Sequence, residues 1–72
     1  MITFIDNGEE ITLIGVGDKR QIVGEEDIVT YLHDGDAVMK MRDTLEGREY
    51  SLSYVGNFED GKPVWQDFII WE

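Results

Sequence analysis

His33, Asp34 and Asp36 crowd one histidine and two carboxylates around Gly35, a density of nitrogen and oxygen that could hold a divalent cation. The spacing argues against one. A calcium loop needs a longer set of ligand positions closed by a bidentate glutamate, and zinc needs several nitrogen or sulfur ligands where this chain has one histidine and no cysteine. Asp-Gly-Asp is ordinary turn chemistry. Gly15-Val16-Gly17-Asp18-Lys19-Arg20 has the glycines of a phosphate loop but no Gly-Lys-Ser/Thr ending, and Arg20 stands where a dinucleotide fingerprint needs its third glycine. It reads as a strand-end turn. Ser51 and Ser53 are possible nucleophiles, but His33, the one available base, belongs to a remote turn. Sixteen carboxylates in 72 residues make a close acidic pair inevitable, so such a pair carries no signal. The sequence therefore assigns no catalytic, cofactor-binding or metal-ligating residue, and a non-enzymatic protein is expected.

The carboxylates matter collectively. Six basic residues leave a formal net charge of −10. Such a charge opposes direct binding to nucleic acid or to an anionic membrane and favours a cationic partner. Most of the excess lies in residues 1–36. Apolar residues make up 42% of the chain, too many for a disordered acidic tail. No apolar run approaches the roughly 20 residues that span a bilayer, and the acidic opening, MITFIDNGEE, does not read as a signal peptide. The lack of cysteine fits a reducing, cytoplasmic setting.

The elements that position these groups read as hairpins in one domain spanning 1–72. Ile2-Thr3-Phe4-Ile5 and Ile11-Thr12-Leu13-Ile14 flank Asn7-Gly8, which suits a type I′ turn, and the register pairs Phe4 with Ile11, Ile2 with Leu13 and Thr3 with Thr12. Asp34-Gly35 separates a second pair, with Leu32 set opposite Ala37, Thr30 opposite Met39 and Ile28 opposite Met41. Asp60-Gly61 separates Arg48–Val55 from Val64–Trp71, setting Tyr50 opposite Trp71, Leu52 opposite Ile69 and Glu59 opposite Lys62. Gly47 closes a loop over Asp43–Gly47. Residues 24–33 begin with acids suited to a helix N-terminus, but Ile-Val-Thr-Tyr is β-branched and aromatic, which favours a strand over one short helix. The expected fold is mainly β, a small antiparallel up-and-down sheet or barrel of five to seven short strands. Its core is expected to centre on Tyr50, Leu52, Ile69 and Trp71, joined by Ile2, Phe4, Ile11, Leu13, Ile28, Leu32, Met39 and Met41.

On that scaffold Glu9, Glu10, Asp18, Glu25, Glu26, Asp27, Asp34 and Asp36 fall at turns and strand ends, while Lys40, Arg42 and Arg48 are expected to form a separate basic stripe. Phe58 either folds back onto the core, as Trp65 would, or anchors an interface ringed by acids. Those eight acids with Phe58 are the candidate partner-binding residues. In size and charge the chain is similar to the nucleic-acid-mimicking inhibitors that phages direct at host defence nucleases, anti-CRISPR proteins among them. The similarity covers bulk properties only and carries no residue roles. It implies a protein that occupies the basic nucleic-acid-binding surface of a partner. The alternative is an assembly subunit that oligomerises or binds through an edge strand, with Phe68-Ile69-Ile70-Trp71 as the contact.

Overall fold

The computed structural model describes the backbone of residues 1–71 and the side chains of residues 1–66. It is all-β and antiparallel, with no helix among the described residues. β1 (Ile2–Asp6) and β2 (Glu9–Leu13) form one hairpin. β3 (Lys19–Val23), β4 (Ile28–Asp34), β5 (Ala37–Thr44), β6 (Gly47–Tyr54) and β9 (Gln66–Trp71) form a five-stranded sheet in that order. β7 (Phe58–Glu59) and β8 (Lys62–Pro63) make a two-residue ribbon between β6 and β9. The architecture is thus an up-and-down sheet with two appended hairpins.

Local chemistry sets the turns. Asn7 and Gly8 both have positive φ, as do Asp60 and Gly61, which is the type I′ requirement. The β1–β2 register is the expected one, with Phe4 on Ile11 and Thr3 on Thr12, and Glu59 faces Lys62. Residues 24–33 hold no helix: Gly24 donates its N–H to the Asp27 carbonyl in a tight bend, and Ile28 begins β4.

Two registers differ from expectation. In the β4–β5 turn Gly35, with φ of 57°, takes the first central position and Asp36 the second, so Asp34 pairs with Ala37, Leu32 with Met39 and Thr30 with Met41. The shift of two keeps each residue on its face. β6 and β9 pair with Arg48 opposite Trp71, Tyr50 opposite Ile69 and Leu52 opposite Gln66, with an irregularity between Tyr50 and Leu52. The inserted ribbon displaces the simple hairpin alignment. The loop at Asp43–Gly47 is shorter than expected, since Thr44 pairs with Gly47 and only Leu45-Glu46 forms the turn.

The core lies on the opposite face of the sheet from the expected one. Its cluster is Ile2, Phe4, Ile11, Leu13, Tyr31 and Val38, with Ile22, Val29, Phe58 and Trp65 packed around it. Ile2, Phe4, Ile11 and Leu13 are core residues as expected, whereas Ile28, Leu32, Met39, Met41, Tyr50 and Leu52 are only half-buried. The side chains of Ile69 and Trp71 lie outside the described residues. Counting apolar residues favours the wrong face because the covered one contains Lys40, Ser51 and Ser53. The two serines are buried there, and Phe4 meets Tyr31, Phe58 and Trp65 edge-on at 5.5, 5.9 and 6.4 Å.

The hairpin is tied to the sheet by a buried ionic cluster. Lys40 is 6% exposed, and its Nζ donates to Asp6 Oδ2 at 2.5 Å. Tyr31 Oη donates to the same oxygen at 2.7 Å and Trp65 Nε1 to Oδ1 at 3.2 Å. Burial alone would raise the Asp6 carboxyl, but the bonds from Lys40 and Tyr31, the Lys40 charge and the Trp65 bond together outweigh it and hold the carboxyl below its ordinary value. Burial, and then the bond to Asp6, push the Tyr31 hydroxyl well above its own. A depressed carboxyl contributes stability that is present above its unfolded value of about 3.9 and lost as pH falls through the lower folded value. Asp6→Asn strands the Lys40 charge and is expected to cost about 3–5 kcal/mol in urea unfolding at pH 7. The variant should also lose part of the wild-type decline in stability below pH 4. An unchanged midpoint in urea contradicts the assignment.

Candidate interaction surface

Folding distributes the expected partner-binding residues over the molecule. Glu25, Glu26 and Asp27 occupy the bend that leads into β4, and Glu26 and Asp27 line one cleft of about 250 Å³ with Thr44, Leu45, Glu46 and Glu49. Asp34 and Asp36 lie at the other end of β4, roughly 20 Å away at ~3.3 Å per residue. Asp18 is a loop cap, its carboxylate accepting the Ile14 N–H at 2.9 Å and the Lys19 N–H at 3.1 Å. Glu9 and Glu10 sit beside Arg20, which approaches the Glu9 carboxylate at 3.9 Å and donates to the Glu10 carbonyl at 2.8 Å. Phe58 folds back on Phe4 rather than standing as an exposed anchor.

The basic stripe does not form. Lys40 is buried against Asp6. Arg42 Nε donates to Glu49 at 2.9 Å, its Nη2 reaches the same oxygen, and Asp27 lies at 4.0 Å. Arg48 donates to Asp43 at 2.5 Å. Four of the six basic residues are therefore consumed in internal ion pairs. Glu10, Glu25, Glu26, Asp34, Asp36, Glu46, Glu59 and Asp60 have no ion-pair partner among the described residues.

The β5–β6 turn is the most distinctive part of the acidic surface. Thr44 Oγ1 donates to the Gly47 carbonyl and accepts the Glu46 N–H, which locks the turn. Leu45 at its tip is 98% exposed, among the carboxylates of Glu26, Asp27 and Glu46. Arg42 pairs with both Asp27 and Glu49, whereas Glu26 and Glu46 have no ion-pair partner among the described residues. Such a surface can receive Lys or Arg side chains and bury one apolar tip. Sequence reasoning did not single out Leu45, Glu46 or Glu49. The available signal was a leucine between Thr44 and Gly47, where a two-residue turn leaves no interior for it.

Among the described residues no group of His, Asp and Glu could hold a metal ion. No helix is long and apolar enough to cross a membrane among them. No protein-family model, curated protein or solved structure matches the chain.

Because Leu45 makes no core contact, Leu45→Gln should change unfolding stability by no more than about 0.5 kcal/mol. Thermal unfolding followed by circular dichroism measures this. A loss above about 1 kcal/mol would place Leu45 in the packing.

Proposed function

We propose that the protein is a small, non-enzymatic acidic binding protein that occupies a basic, nucleic-acid-binding surface of a partner, using the end of the sheet built by residues 25–27 and 44–49. The observation that carries this reading is a fully exposed Leu45 beside Glu26 and Glu46, two cleft carboxylates with no ion-pair partner among the described residues. A surface shaped for phosphates presents lysine and arginine side chains, and these can meet the rim carboxylates as they would meet phosphate oxygens. The leucine supplies a desolvated contact at the centre, and the charges around it steer encounter and suppress acidic competitors.

A second reading has its own support. β9 is a margin of the five-stranded sheet, and an assembly subunit would join its partner by strand addition there.

Immobilised protein incubated with host lysate distinguishes the two. The first reading expects a basic nucleic-acid enzyme to be captured at low salt, released near 0.5 M salt and displaced by duplex DNA. Capture should fall at least tenfold for the triple variant Glu25→Gln, Glu26→Gln, Glu46→Gln. Capture that is indifferent to salt and to these substitutions overturns it and favours edge pairing.

A further inference from the structure

One asparagine of the chain directly precedes a glycine, and the fold sets that pair at the tip of the hairpin that closes the core. Asn7 and Gly8 are both exposed there. Beyond the chain neighbours of Gly8, no atom lies within 4 Å of where a side chain on it would begin, so nothing packs over this glycine. The other asparagine, Asn57, precedes the bulky Phe58.

A side-chain amide beside an unhindered peptide nitrogen can close a five-membered ring. The Gly8 nitrogen attacks Asn7 Cγ, a new N–Cγ bond replaces the Cγ–Nδ2 bond, and ammonia leaves with the proton of the Gly8 N–H. Water then opens the cyclic imide at either carbonyl. Opening at Cγ gives aspartate. Opening at the main-chain carbonyl gives isoaspartate, whose backbone runs through Cγ and is one methylene longer. Ring closure requires ψ at Asn7 to leave the left-handed turn conformation, where φ is 50°, so it proceeds as the tip opens. An exposed turn with nothing packed on it opens at small cost. The same ring at Asp34-Gly35 or Asp60-Gly61 would need a carboxylate to lose an oxygen as water, a slower step at neutral pH.

The position of this turn gives the change a long reach. Asp6 pairs with Glu9 across these two residues, and the type I′ turn fixes that register. An added methylene between them cannot preserve it, and Asp6 is the carboxylate that meets Lys40, Tyr31 and Trp65. Phe4 and Ile11, the next inward-facing pair, lie two residues further along each strand. We propose that Asn7-Gly8 is a modification site, and that isoaspartate formed there releases the β1–β2 hairpin from the sheet. The Leu45 end takes no part in this, so it goes beyond the proposed function without resting on it.

Ageing the full chain in mildly alkaline buffer, followed by peptide mapping and by methyl labelling with an isoaspartyl methyltransferase, tests this. Isoaspartate should accumulate at position 7 with release of ammonia, while Asn57, Asp34 and Asp60 stay unchanged. In the isoaspartyl fraction, amide hydrogen exchange across residues 2–13 should be at least tenfold faster than in fresh protein. Asn7→Asp has the added charge on a normal backbone and should exchange like fresh protein. Asn7→Gly suits the same turn, has no amide, and should age without change. An Asn7 that stays intact through ten half-lives of the urea-denatured chain overturns the proposal. So does an isoaspartyl fraction whose exchange matches fresh protein. An Asn7→Asp variant that exchanges as fast as the isoaspartyl fraction also overturns it, by assigning the effect to charge.

Discussion

The fold depends on one buried ion pair. The β1–β2 hairpin packs on the face of the sheet that contains Lys40, and an ammonium with 6% exposure is tolerable there only because Asp6 arrives from the hairpin to meet it. Tyr31 and Trp65 supply the remaining donors, so the carboxylate is satisfied on both oxygens. The Lys40 ammonium also lies 5.8 and 5.5 Å from the Tyr31 and Trp65 ring centres, within reach of a cation–π contribution. This cluster links β1, β4, β5 and the segment before β9, four places far apart in sequence. It selects which face of the sheet the β1–β2 hairpin covers.

The same pairing logic shapes the surface. With Lys40 buried and Arg20, Arg42 and Arg48 each held against an acid, most of the basic charge is spent inside the molecule's own network. The negative excess is left at turns around the periphery rather than on one flat array. On the outer face of β3 to β6, Lys19 and Arg48 balance Asp34 and Asp43.

Much of this was legible in the sequence, for definite reasons. Asn7-Gly8 and Asp60-Gly61 dictate positive φ at both turn positions, and the alternation around Phe4 and Ile11 admits one register. The strand nature of residues 28–34 followed from β-branching. The β4–β5 alignment slipped by two because Asp34-Gly35 and Gly35-Asp36 are both acceptable turns, and composition does not choose between them. The core face was misjudged because Lys40, Ser51 and Ser53 look like surface residues until Asp6, more than thirty positions away, supplies the counter-charge. Long-range pairing of that kind leaves no local pattern. Of the expected partner-binding residues, Glu26 and Asp27 converge with residues from the β5–β6 turn, while Asp34 and Asp36 go to the opposite end of β4. Strand direction decides that separation, and residue type alone does not encode it.

The proposed cation-receiving surface beside Leu45 rests on Glu26 and Glu46, which have no ion-pair partner among the described residues. A residue-resolved NMR titration of the backbone amides with a short oligolysine measures this directly. The account predicts shift changes concentrated in residues 25–27 and 44–49 that vanish as salt is raised. Changes spread evenly over all acidic turns, or centred on Asp34 and Asp36, would contradict it.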